Sequence, residues 1–116
     1  MDKIIIGTQP DIRYQVRTMV VTPDNTPIRA NVEIRYLNEP GLWYLSIFDA
    51  ATGESKCRYV PIIASYNERN DLMAPFRHKN IGSIYCVPTV ANPSSQDPGL
   101  DNLGEFALVW GDSDDL

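Results

Sequence analysis

Between Asn38 and Glu54 the chain reads as turn, strand, turn, and no other stretch limits the fold as strongly. Leu42-Trp43-Tyr44-Leu45-Ser46-Ile47-Phe48-Asp49 is its densest run of aromatic and branched residues, the side chains that suit a pleated surface. Side chains two apart on a strand share a face, so Trp43, Leu45 and Ile47 point one way and Tyr44, Ser46 and Phe48 the other. Both faces are mostly apolar, which predicts a central strand covered on both sides with Trp43 in the core. Asn38-Glu39-Pro40-Gly41 and Ala51-Thr52-Gly53-Glu54 bracket it with turn chemistry.

Other strands follow from the same two-residue period. Ile4-Ile5-Ile6 is either a short strand or an arm that packs on a neighbour, ended by Gly7-Thr8-Gln9-Pro10. From Asp11 to Val21, Ile12, Tyr14, Val16 and Val20 share one face and Arg13, Gln15 and Arg17 the other, the pattern of a half-buried strand. After the turn at Thr22-Pro23-Asp24-Asn25-Thr26-Pro27, Ile28, Ala30, Val32, Ile34 and Tyr36 alternate with Arg29, Asn31, Glu33 and Arg35, so the pair forms a hairpin. Lys56 to Ile63 gives a strand that Pro61 confines to an edge or a bulge. Ser83 to Val87 is another, and Glu105 to Trp110 closes the chain, with Phe106, Leu108 and Trp110 facing one way. Gly104, just before it, is expected at a positive φ. Ala64 to Gly82 is the least strand-like interval, with a helical turn expected around Asn70 to Met73, and residues 91–101 form an irregular connection.

The fold class is therefore all-β: a single-domain antiparallel β-sandwich or partly closed β-barrel, with one long loop containing a short helical turn. Its 116 residues are one domain's worth, enough to bury roughly two-thirds of the unfolded surface. The division expected is an N-terminal arm at 1–10, a β core at 11–110 and an acidic tail at 111–116.

Charge narrows the partners. The formal net charge of −5 disfavours nucleic acid and anionic membranes, which bind through Lys and Arg. All ten basic side chains lie within residues 1–79, whereas residues 80–116 hold Asp97, Asp101, Glu105, Asp112, Asp114 and Asp115. The apolar run near Met1 is too short for a signal-peptide core or a membrane span, so a protein made in a cytosol is expected.

Chemistry is sparse. His78, the single histidine, sits in the basic cluster Arg77-His78-Lys79 and reads as a solvated loop residue, not a catalytic base. Cys57 and Cys86 lie in apolar strand-like runs and read as buried free thiols; with one histidine between them they make no zinc site. Asp112-Ser113-Asp114-Asp115 lacks the glycine and the bidentate Glu of a calcium loop and reads as a solvated tail. Glu33, Asp49 and Glu54 show no spacing that singles out a catalytic carboxylate pair. No catalytic residue, cofactor-binding residue, metal ligand or cofactor is assigned, and the chain reads as a non-enzyme. Trp43, Tyr44, Tyr59 and Trp110 fall within strand patterns and read as core. As an alternative, they would line the sugar face of a carbohydrate-binding β-sandwich module.

Asp97-Pro98-Gly99-Leu100-Asp101-Asn102-Leu103-Gly104 leading into Glu105-Phe106-Ala107-Leu108-Val109-Trp110, together with Trp43-Tyr44-Leu45-Ser46-Ile47-Phe48-Asp49 and its following turn, resembles the small baseplate plug proteins of contractile-tailed bacteriophages. The likeness runs from about Ile12 to Trp110. The chain departs from that family in its long Ala64 to Gly82 interval and in Ser46, where an acid is common. The resemblance implies a non-enzymatic virion structural protein of the tail baseplate, assembled in the host cytoplasm. It implies several copies packed near the central hub and tube, with hub, spike, tail tube, wedge and copies of itself as partners. On that reading the assembly contacts fall to the Ile4-Ile5-Ile6 arm, the Ala64 to Gly82 interval and the acidic stretch after Trp110.

Overall fold

A computed structural model of the chain describes residues 1–67 and 69–113. Among these residues seven strands make two antiparallel sheets: β1 (Ile4–Ile6), β2 (Tyr14–Val21), β3 (Ile28–Leu37), β4 (Leu42–Asp49), β5 (Ser55–Pro61), β6 (Ser83–Pro88) and β7 (Phe106–Gly111). One sheet is the meander β2-β3-β4-β5 and the other has the order β1-β7-β6. The sheets stay separate, so the architecture is an all-β sandwich and not a closed barrel.

The core lies between them. Val32, Ile34, Trp43, Leu45 and Ile47 from the larger sheet meet Ile6, Ile84, Cys86, Leu108 and Trp110 from the smaller, and Leu72, Met73, Ile81 and Leu103 fill in from the loops. Trp43 is fully buried beside Leu45 and Ile47, as the alternation predicted. Tyr44 and Phe48, on the opposite face of β4, are only half-buried, so that face is partly open and the strand is not covered on both sides.

Ser46 is buried for a local reason. Leu45 pairs with Val60 and Ile47 with Cys57, which leaves Arg58 and Tyr59 opposite Ser46 in a bulge where Tyr59 takes a φ of 52°. The Ser46 hydroxyl accepts the Tyr59 N–H at 2.9 Å, a bond the kinked ladder does not make with a carbonyl. Pro61 ends this edge strand, where a missing N–H removes nothing from the sheet.

The expected facing of β2 is reversed. Its register sets Gln15 opposite Ile34, Arg17 opposite Val32, Met19 opposite Ala30 and Val21 opposite Ile28, all core positions of β3. Ile12 lies in the segment before β2 and is exposed, while on the strand Tyr14, Val16 and Val20 share the outward face with Arg35, Glu33 and Arg29 and are 49%, 52% and 68% exposed. At the rim of a sandwich an inward position need not be apolar, because a long side chain there reaches water past the edge.

The N-terminal residues are not a free arm. β1 pairs with β7, Ile4 opposite Trp110 and Ile6 opposite Leu108, and Ile6 is buried. Residues 1–10 thus contribute a strand to the sandwich. The tail assigned to 111–116 also begins inside the fold, since Gly111 belongs to β7; Asp114, Asp115 and Leu116 lie outside the described residues.

Asp71 organises the long interval. Its buried carboxylate accepts the Met73 N–H at 2.9 Å, the Ser83 hydroxyl at 2.8 Å and the Ile84 N–H at 3.1 Å, with the Arg77 guanidinium at 3.5 Å. Ala64 forms a parallel bridge with Cys86, and Leu72 N–H donates to the Ile84 carbonyl at 2.9 Å, so this segment covers the β6 edge. The helical part is a 3-10 segment at Ala74–Lys79, displaced from the expected Asn70 to Met73, where Asp71 holds the backbone in a turn instead.

Two glycines behave differently. Gly104 sits in a 3-10 turn at Leu103–Glu105 without positive φ; its neighbour is Pro10, whose Cγ would lie 3.1 Å from an added Cβ. Gly82 has φ +81°, and a Cβ there would fall 2.3 Å from the Gly111 carbonyl oxygen. Gly82→Ala is expected to destabilise the domain by about 2–4 kcal/mol, through backbone strain plus displacement of β7. Trp43→Ala is expected to lose on the order of 3–5 kcal/mol. Urea unfolding of each variant against the parent measures both; unchanged midpoints would contradict the packing described.

Candidate interaction surfaces

Three surface features are built by this fold. The first is the outer face of the larger sheet, which no other element among the described residues covers. Tyr14, Val16, Val20 and Tyr59 are exposed on it. Arg35 lies 4.6 Å from the Tyr14 ring centroid, and Arg58 lies 5.6 Å from that of Phe48 and 5.7 Å from that of Tyr59. Arg29, Arg35 and Arg58 outnumber Glu33, which pairs with Arg35 at 3.8 Å. A chain of net charge −5 thus presents a basic, aromatic face.

That face borders a bare strand edge. Tyr36 N–H donates to the Arg13 carbonyl, while the Arg29 carbonyl accepts from Ala50 on the far side of β3. Bonded and non-bonded pairs alternate along an antiparallel ladder, so Tyr14, Val16, Thr18 and Val20 aim their backbone N–H and C=O groups away from β3. The inward Arg17 is the kind of charge that discourages unspecific pairing at such an edge.

The second feature is a clasp between the sheets. Asp112 accepts the amino terminus at 2.5 Å and the Asp24 N–H at 2.7 Å, and Asp24 accepts the Ser113 N–H at 2.9 Å and its hydroxyl at 2.5 Å. The β2–β3 turn is thereby tied to the end of β7. Asp24 and Asn25 adopt left-handed backbone there, with φ of 52° and 63°, a region these two residue types tolerate.

The third feature is a concavity of ≈ 440 Å³ on the outer face of the smaller sheet, floored by Tyr85, Val87 and Val109 and walled by Lys3, Tyr66 and Arg69. Alternation in β6 and β7 carried the signal for its floor. Lys3 and Arg69 reach it from regions that sequence spacing does not connect.

The residues considered for chemistry are dispersed. His78 lies on the exposed 3-10 segment, and among the described residues no three His, Cys, Asp or Glu side chains converge to hold a metal. Cys57 and Cys86 are buried free thiols, Cys57 Sγ lying 3.8 Å from Met73 Sδ. Burial pushes their pKa values up to about 11 and about 12, respectively, so both stay protonated near neutral pH. Glu33 and Glu54 pair with Arg35 and Lys56, and Asp49 accepts the backbone N–H groups of Ala51 and Thr52 at 2.8 and 3.0 Å. Trp43 and Trp110 are buried, so a sugar-binding face would have to draw on tyrosines instead.

Models of known protein families and the curated proteins, searched with this sequence, gave no match.

The carboxylates have a further consequence. The amino terminus and the Asp24 N–H hold Asp112 below its ordinary 3.8, the Thr52 and Ala51 N–H groups do the same for Asp49, and the Ser94 backbone and hydroxyl hold Glu105 below 4.5. A folded pKa below the unfolded one means that the unfolded chain takes up protons first as pH falls. The stabilisation is therefore complete above the ordinary values and is lost as pH drops through the folded ones. Thermal melts should be flat from pH 7 to about 5 and fall steeply below about 4.5, with a shallower fall in Asp112→Asn.

Proposed function

We propose that this chain is a non-enzymatic structural component of a phage tail baseplate, a plug-like part packed near the central hub and tube. It is assembled in the host cytoplasm and bridges the hub to surrounding spike, tube and wedge proteins in several copies. Two things support this reading. The sequence resemblance covers β2 through β7 and includes the turn before the closing strand. The observation that carries it is the bare outer face of the larger sheet, where Tyr14, Val16 and Val20 are exposed along β2 and Tyr59 is exposed on β5 at the opposite edge, with Arg29, Arg35 and Arg58 on the same sheet.

Exposed apolar side chains ringed by cations suit burial against an acidic neighbour, in which the aromatic and branched residues supply area and the arginines supply register. The assembly contacts thus belong to the sheet face. Ile4 and Ile6 are committed to the chain's own β1, and the 64–82 interval covers the β6 edge.

The test uses tagged protein co-expressed with the tube, hub, spike and wedge proteins encoded beside it. Co-elution with at least one of them is expected. Val16→Asp/Val20→Asp should keep the circular dichroism of the parent, since both side chains already face water, and should lower capture at least about tenfold. Absence of co-elution under any salt condition would overturn the assembly reading, and undiminished capture of the double variant would remove the sheet face from it.

A further inference from the structure

The edge of β2 makes a demand separate from that of the face beside it. Tyr14, Val16, Thr18 and Val20 turn their backbone N–H and C=O groups away from β3, and among the described residues no hydrogen bond reaches these groups. Such a row is a template for another strand. The edge is also clear of side chains. Thr18 donates its hydroxyl to Asn31 Oδ1 at 2.7 Å, within its own sheet, and the Arg17 guanidinium is folded back against Gly7, where an added Cβ would lie 2.7 Å from its Nη1.

The other sheet edges offer no match for it. β5, at the far side of the same sheet, is kinked by the bulge at Tyr59 and ends in Pro61. In the smaller sheet the segment that bridges Ala64 to Cys86 covers β6, and β1 has only three residues. A second copy of the chain therefore meets β2 with β2, an isologous contact that closes after two chains and builds no fibre. Near the middle of the strand, symmetric antiparallel pairing brings bonding groups together with the two-fold axis at Val16, Arg17 or Thr18. An axis at Arg17 sets two like charges opposite each other, and an axis at Val16 sets Val20 against Ile12, outside the strand. An axis at Thr18 sets Val16 opposite Val20, Arg17 opposite Met19 and Gln15 opposite Val21, so no like charges face each other. On β3, Glu33 lies beside Val16 and Arg29 beside Val20, so each row across the joined sheets runs from Glu33 of one chain to Arg29 of the other.

We propose that β2 pairs antiparallel with β2 of a second copy, Val16 opposite Val20 of the other chain and Thr18 at the two-fold axis, so that two four-stranded sheets join into one. Val16, Thr18 and Val20 then exchange backbone bonds across the axis. The exposed valines cover one another, which halves the water they meet without closing the outer face of the sheet. The contact spans residues 15–21 of each chain, short of the roughly 20–30 residues a side of a standard interface, so the dimer is weak. The proposal holds whether or not the chain belongs to a tail baseplate, and its test uses the purified chain alone, so its failure leaves that reading standing.

Sedimentation equilibrium of the full chain from about 5 to about 500 µM is expected to show a monomer–dimer equilibrium with a dissociation constant of about 10–100 µM. Amide exchange at Val16, Thr18 and Val20 should slow as concentration rises. Thr18→Pro removes an N–H that the chain's own sheet does not use and should weaken the dimer at least about tenfold. Two charge variants test the register without touching the backbone. Val16→Lys/Val20→Lys sets like charges opposite each other and should weaken association at least about tenfold in about 50 mM salt, whereas Val16→Lys/Val20→Glu sets opposite charges there and should associate at least about fivefold more tightly than the double-Lys variant. Circular dichroism checks that all three keep the parent fold; the charge variants alter only side chains already facing water. A chain that stays monomeric at about 500 µM leaves the edge to a strand of another protein and overturns the proposal. So does dimerisation of a folded Thr18→Pro variant at the parent's concentration, or equal association of the two charge variants.

Discussion

Two buried indoles hold this sandwich together at the places where its ladders stop. Trp43, from the larger sheet, donates its ring N–H to the Gly99 carbonyl at 2.7 Å, and Trp110, from the smaller, donates to the Ile81 carbonyl, also at 2.7 Å. Each ring buries a large apolar area in the core, and each polar tip pins one of the two long irregular segments. The two indoles thus satisfy the Gly99 and Ile81 carbonyls, which lie in segments outside the strands. Tyr36 packs edge-on against Trp43 with ring centroids 5.4 Å apart, which fixes the ring's tilt toward that carbonyl.

The consequence is an interior committed to structure. Both thiols are buried, Asp71 is engaged by four donors, and Ser46 completes a bulge. What is left for recognition lies on the outward faces. The two faces differ in kind. The larger sheet has a broad basic and aromatic surface with a bare edge, whereas the smaller is walled by Lys3, Tyr66 and Arg69 into a concavity. The clasp of Asp24, Asp112 and the amino terminus joins the sheets and keeps the two surfaces in fixed relation.

Much of the fold was legible because a strand facing a core on one side must alternate. β3, β4 and β7 have clear apolar registers, and their buried apolar residues are those the period names. β2 misled for a physical reason: both of its faces alternate acceptably, but Tyr14, Val16 and Val20 lie outward while Gln15, Arg17, Met19 and Val21 turn in. Only pairing with β3 decides which face turns in, and a one-residue choice flips every side chain. Gly104 was singled out for its turn, whereas the glycine that geometry requires is Gly82, because its hydrogen meets a carbonyl from a strand 29 residues away. No local pattern announces such an approach.

The sequence by itself determined the class: its period-two runs, its turn residues and its length point to a small antiparallel β-sandwich or partly closed barrel, and the separate sheets of the structure decided for the sandwich. It also determined that Trp43 is core and that the thiols are buried, since these follow from local alternation. Tertiary structure alone decided which chain segments lie side by side. It made residues 4–6 a strand of β7's sheet, exposed the apolar face of β2, and brought Lys3, Arg69 and Tyr85 around one concavity. Those juxtapositions depend on register and sheet packing between residues far apart in the chain, and spacing along a sequence contains no measure of either.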